Sequence, residues 1–144
     1  MNAMTAMRQY QSVNTQAQAV DASPHRLIQM LMEGGLSRIA QARGAMDRGQ
    51  VAMKGELIGT AIAIVGGLRD GLDLEMGGDV AANLDRLYEY MITRLFEANL
   101  HNTVAPLEEV AVLLRNVKKA RVVQFHRRLE AGHLRHIRRL ARRP

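Results

Sequence analysis

Glu97 and His101 stand one helical turn apart, the first residues in this sequence whose types suggest chemistry. In a helical bundle, a carboxylate and an imidazole can contribute to a two-metal site. Such a site needs a glutamate from each of two helices and Glu-x-x-His from the other two. The pair here occurs once, at spacing four, and reads as a solvated helix end. His133 and His136 form an H-x-x-H, but among arginines whose positive field opposes a cation. The phosphate-cradling patterns G-x-x-x-x-G-K-[ST] and G-x-G-x-x-G do not occur. Gly34–Gly35 and Gly66–Gly67 fall in helical pattern, and Gly77–Gly78 marks a turn. No Ser/His/Asp set carries a local motif. With no Cys in 144 residues, disulfides, thiol chemistry and cysteine metal sites are excluded. No metal or cofactor is expected, and the chain is read as a non-enzyme.

Charge is the next candidate for function. The formal net charge is +6, but it is unevenly spread. Residues 1–117 hold ten Lys/Arg against thirteen Asp/Glu, whereas residues 118–144 hold ten against Glu130 alone. A nucleic-acid or anionic-surface reading therefore rests on the last stretch only. There Val122, Phe125 and Leu129 make one short apolar face, and Leu134, Ile137 and Ala141 another. Gly132 stands between them and the two do not align. A small helical nucleic-acid-binding protein acting through this tail is the alternative reading, with nucleic acid disfavoured as the main partner. No apolar run reaches the ~18 residues that span a bilayer, so no membrane insertion is expected. The N-terminus lacks a charged region followed by an apolar one, so no Sec signal is read.

The elements that position these residues are helices. Nearly half the chain is apolar, but only 3% is aromatic and there is no Trp. A core of Leu, Ile, Val, Met and Ala suits packed helices. Residues 1–22 are polar and small and are expected to form a mobile arm. Ser23 before Pro24 is a helix start, a side-chain cap followed by proline at the first position. Ile28, Leu31, Gly35, Ile39, Ala42 and Met46 then recur at steps of three and four, and Gly49 is a stop. Ile58, Ala61, Val65, Leu68 and Leu72 mark a second helix, whose apolar arc Leu57, Ile62 and Ile64 widen. Its many glycines suggest close helix approach. Val80, Leu84, Leu87/Tyr88, Met91, Leu95 and Ala98 mark a third, with a second stripe of Ile92, Phe96 and Leu100. A helix apolar on two sides is central or lines a groove. Pro106 opens a fourth, with Leu107, Val110, Leu114 and Val117 buried. Its next position is Arg121, so the helix ends or turns outward there, because burying an unpaired Arg is costly. Four helices with short breaks predict an all-α, antiparallel up-down four-helix bundle, with room for a short extra helix. The organisation expected is arm 1–22, bundle 23–120 and basic tail 121–144.

"ASPHRLIQMLMEGGL", "GGLRDGLDLEMGGDVAANLDRLYEYMITRLFEANLHN" and "LEEVAVLLRNV" together resemble the FliS family of flagellin export chaperones. Tyr10 matches its arm, Ser23-Pro24-His25 its first helix entry, and Leu87-Tyr88-Glu89-Tyr90-Met91 the centre of its third helix. The resemblance covers roughly residues 10–117. Three departures stand out. Met32 replaces an aromatic. Thr103 replaces an Asp and can still cap a helix. Arg121 replaces a Trp, and the chain leaves the family pattern after it. The resemblance implies a chaperone in the bacterial cytoplasm that binds the disordered C-terminal region of flagellin. It would prevent premature polymerisation and aid delivery to the flagellar type III export apparatus. Such a role needs apolar surface beyond one bundle seam. Ile92, Phe96 and Leu100 are its first candidates and Leu57 and Ile64 the next, with Tyr10 and Val13 covering the groove when it is empty.

Overall fold

The structure is a computed structural model that describes residues 23–126 and Arg139. Among the described residues there are four α-helices and no strand: α1 (Pro24–Asp47), α2 (Val51–Asp70), α3 (Gly78–His101) and α4 (Ala105–Lys119). A 3-10 helix, Val122–Phe125, follows α4. Connections of a few residues force neighbours to run antiparallel. Ion pairs fix the register. Arg43 meets Glu108 at 2.7 Å and Lys118 meets Glu33 at 3.5 Å across α1 and α4. Arg69 meets Asp85 at 2.8 Å across α2 and α3. The four-helix up-down bundle expected from sequence is what forms.

Helix ends follow local chemistry. The Ser23 hydroxyl accepts from the Arg26 N–H at 3.2 Å, so the predicted cap is made. Gly49 sits at φ +68 just past α1, the left-handed stop that glycine makes cheap. Between α2 and α3, Gly77 has no room for a side chain: a Cβ would lie 2.5 Å from the Ala81 Cβ and 2.6 Å from the Asp73 carbonyl oxygen. Asn102 closes α3 in the left-handed region at φ 52. Thr103 does not cap α4 as expected. The N-cap is Val104, with no side-chain bond.

The predicted stripes form one core. Leu31, Ile64, Leu68, Tyr88, Leu95 and Leu114 are fully buried in it. Two expectations are corrected. Val80 is exposed, because the buried row of α3 begins one residue on, at Ala81. The glycines of α2 do not mark close approach: Cβ atoms on Gly59, Gly66 and Gly67 would meet nothing within 4 Å. The close approach is in α1, where a Cβ on Gly35 would lie 3.0 Å from the Leu114 side chain. α2 is long and apolar enough, by length and composition, to cross a bilayer. Here Ile58, Ala61, Ile64, Val65 and Leu68 are buried against its neighbours.

The chain does not leave the bundle at Ala120. α4 ends there, and Arg121 turns at φ 54 with its side chain exposed. Residues 122–126 then pack back as a strap. Val122 and His126 are buried. The Asp73 N–H donates to the Phe125 carbonyl at 2.9 Å, and Leu72 forms an antiparallel bridge with His126. His126 Nε2 lies 3.0 Å from the Tyr88 hydroxyl, and Nδ1 lies 3.2 Å from the Val122 carbonyl. A carbonyl only accepts, so Nδ1 carries the proton and Nε2 accepts from Tyr88. Burial pushes the His126 pKa below its usual value, and His25 on α1 adds to this.

The sign of the resulting pH dependence follows from linkage. Unfolded His126 takes up a proton near its ordinary pKa of about 6.5, whereas folded His126 resists it. The stabilisation is complete above that pH and declines as pH falls below it. Urea unfolding at pH 8 and pH 5.5 is expected to show a larger acid loss for the native chain than for His126→Phe. Equal losses would remove His126 from the balance.

Candidate functional site

The expected groove residues fall into separate groups. Tyr10 and Val13 lie outside the described residues. Ile64 is buried, with its side chain 3.5–3.7 Å from Cβ positions built on Gly34 and Gly35 of α1. It belongs to the core and offers no free surface. Leu57, two helical turns earlier on the same side of α2, is half-buried and packs against the core. Ile92, Phe96 and Leu100 lie on the other side of α2, along its seam with α3.

That seam is fixed at both ends. The buried Lys54 ammonium donates to the Asn99 carbonyl at 3.2 Å and to Asn102 Oδ1 at 3.1 Å, joining the start of α2 to the end of α3. A cation at a helix C-terminus is favoured by the helix dipole. At the far end Arg69 Nε donates to Asp85 at 2.8 Å and the guanidinium reaches Glu89 at 3.5 Å. The hydrogen bond from Arg69 holds the Asp85 carboxyl below its usual range. With α2 and α3 antiparallel between these ties, Ile62 lies opposite Ile92.

Between the ties runs a trough. Gly55, Gly59, Ile62 and Gly66 recur on α2 at steps of four, three and four, which places them on one face. A Cβ on Gly59 or Gly66 would meet nothing within 4 Å, and one on Gly55 only Asn99 Oδ1 at 3.9 Å. Along its edge stand Ile92, half-buried, then Phe96 and Leu100, exposed at 58% and 78%. Glycines on one side and large apolar side chains on the other leave a strip of low relief along this seam. Exposed apolar residues aligned in a row mark interaction surface more than singly scattered ones do.

The surrounding charge is polarised. Asp70, Asp85 and Glu89 stand at the Arg69 end of the trough, against Arg69 itself. The hollow at the end of α2 adds Asp73 and Glu75. The α1–α4 face is basic: Arg26, Arg43, Arg115 and Lys118 outnumber Glu33 and Glu108. That face also has a groove, lined by Leu36, Ile39, Ala111 and Val112 between Arg43 and Arg115. The α3–α4 face is closed by ion pairs. Arg94 bonds Glu97 and, at 3.2 Å, Glu109, which also accepts from the Tyr90 hydroxyl. That hydrogen bond from Tyr90, together with the charge of Arg94, holds Glu109 below the usual carboxylate range. Glu97 is thus an ion-pair partner. No group of three metal-ligating side chains occurs among the described residues.

The family described as flagellar protein FliS matches residues 6–121. The flagellar secretion chaperone FliSB of Pseudomonas aeruginosa is 64% identical over 118 residues, 82% of this chain and 94% of its own length. The flagellar secretion chaperone FliS of Salmonella typhimurium is 43% identical over 121 residues, 83% and 90% of the two chains. That of Campylobacter jejuni is 35% identical over 106 residues, 74% and 83%. Residues 122–144 lie outside the family match.

Proposed function

This chain belongs to the FliS family of flagellar proteins, and from that premise we propose that it is a chaperone of the bacterial cytoplasm that binds the disordered C-terminal region of flagellin. Cargo held this way cannot polymerise early and can be passed to components of the flagellar type III export apparatus. No catalytic step is needed. The observation that carries the reading is the trough: Phe96 and Leu100 stand exposed beside glycines with open space above them. An amphipathic helix laid there would bury its apolar face against Ile62, Ile92, Phe96 and Leu100, the helix-in-groove mode. A segment that folds on binding gives up about 2–5 kcal/mol in ordering, which leaves the complex releasable for export.

Leu57 extends the surface to the other side of α2, so the cargo would wrap that helix, with Ile64 two turns on in the core beneath that side. Tyr10 and Val13 precede Ser23, the cap of α1, the helix that packs on the Leu57 side of α2. We assign them the cover of that side when cargo is absent, a place that suits the apolar ring and polar tip of a tyrosine. Tyr10→Ala is expected to change cargo affinity by a few-fold. Unchanged affinity and unchanged stability would take the arm off the groove.

Filling the trough tests the reading. Gly59→Leu has room for its side chain and replaces a poor helix former by a good one, so stability should rise by about 0.5–1 kcal/mol. Affinity for flagellin's C-terminal segment should fall at least tenfold, because the leucine occupies the channel. A variant that is more stable and binds as well as the native chain would exclude the trough as the cargo site.

A further inference from the structure

We infer that the basic C-terminal stretch, residues 127–144, docks back onto the acidic-rimmed α2–α3 trough and competes there with cargo. The competition rests on the cargo site proposed above, whereas the docking itself does not. The inference starts from where the strap delivers the chain. Phe125 and His126 are tied to Asp73, Leu72 and Tyr88, so the chain leaves the body at the C-terminal end of α2, beside the hollow where Asp70, Asp73, Glu75 and Asp85 outnumber Arg69.

Length permits the return. From Gly66 to Gly55 the trough spans eleven helical steps, roughly 16 Å at 1.5 Å per residue. Eighteen residues follow His126. Six of them extended reach about 20 Å, and the remainder as a helix cover the trough.

Charge selects the face. Residues 127–144 contain seven arginines against Glu130. The α2–α3 side offers them Asp70, Asp73, Glu75 and Asp85 in the hollow and Glu89 one turn further along α3, with Arg69 shared between Asp85 and Glu89. The α1–α4 side would oppose them with Arg26, Arg43, Arg115 and Lys118. The pattern of apolar residues fits as well. Leu134, Ile137 and Ala141 recur at steps of three and four, with Arg135, Arg138, Arg139 and Arg142 around them. A helix so patterned would lay its leucine and isoleucine beside Phe96 and Ile92 and its guanidiniums on the acidic rim. Because these residues lie beyond the family match, this cover is a property of this chain's own extension.

The consequence is an occupancy-weighted affinity. Cargo meets an open trough only in the fraction of molecules whose tail is undocked, and its apparent affinity drops by that fraction. Surface charge pairs of this kind weaken as salt screens them. Removing the tail's charge in the full-length chain, with Arg138→Glu, Arg139→Glu and Arg142→Glu together, should tighten cargo binding about fivefold at low salt and by little at high salt.

The direct test needs no cargo. The chain has no cysteine, so Ala141→Cys gives one attachment point for a nitroxide on the full-length protein. Amide signals of residues 92–100 should broaden relative to the reduced label, those of residues 111–115 should not, and high salt should relieve the effect. Samples in which labelled and isotope-enriched molecules are different should show no broadening. Broadening confined to residues 111–115, none anywhere on the bundle, or comparable broadening in the mixed samples would overturn the docking. If docking is seen and the flagellin C-terminal segment still binds neither full-length form, the cargo assignment fails and the docking stands. If the segment binds native and charge-reversed chains equally at low salt, competition is overturned and the cargo site is untouched.

Discussion

Phe96→Asp is expected to weaken binding of flagellin's C-terminal segment about a hundredfold while leaving the free chaperone as stable as before. The two halves of this result have different causes. Phe96 is more than half exposed, so little of its ring contributes to the core. Surface substitutions away from special features change stability by about 0.5 kcal/mol or less. In the complex the ring would be covered by a cargo helix, and a buried aromatic anchor carries roughly 2–4 kcal/mol of binding. A carboxylate in its place would lose that contact and be desolvated without a partner. A hundredfold is about 2.8 kcal/mol, within this range. Binding within threefold of native would remove Phe96 from the interface. A large drop in stability would mean that the ring is a core residue after all.

Tyr88→Ala is expected to cost about 3–5 kcal/mol of folding stability, a large part of the 5–15 kcal/mol typical of a domain. Tyr88 has no exposed surface and is among the largest fully buried side chains. It sits where α3 meets the strap, its ring centroid 6.0 Å from that of His126. Burial pushes the tyrosine pKa upward, so the hydroxyl stays protonated and donates to Nε2. Removing the whole side chain leaves a cavity and a buried imidazole nitrogen with no donor. Tyr88→Phe isolates the second effect, since it keeps the ring and leaves Nε2 unsatisfied, at about 1–3 kcal/mol. Chemical denaturation of both variants decides the matter. A Tyr88→Phe variant as stable as native would show that the hydroxyl–imidazole bond contributes nothing net.

The four buried stripes are legible because a helix packed on a single core repeats its buried face every 3.6 residues. Ile28 to Met46, Ile58 to Leu72 and Leu107 to Val117 need no tertiary information to be found. Periodicity places Val80 in the buried row one step early, because it cannot say at which residue a helix enters the core. The glycines of α2 are a different case. Glycine spacing reveals a missing side chain but not whether a neighbour fills the space, and here the space is open. Ile64 and Phe96 both looked like surplus apolar residues. One faces Gly34 and Gly35 of α1 and is sealed, whereas the other lies on the α3 seam and is exposed. Only the order of helices around the bundle separates them. Arg121 correctly signalled the end of α4. The return of residues 122–126 was invisible because it depends on His126 meeting Tyr88, 38 positions away. Sequence also gave no sign that Lys54 would be buried, since its partners are the carbonyl of Asn99 and the side chain of Asn102 at the far end of another helix.

The central claim is that the apolar α2–α3 trough holds flagellin's C-terminal segment. Titration calorimetry of that segment into the full-length chain, at low and at high salt, tests it most directly when Phe96→Asp is run beside it. The account predicts binding by the native chain that does not weaken as salt rises, and a hundredfold loss in the variant. No binding by the native chain, or binding that collapses with salt and ignores Phe96, would contradict it.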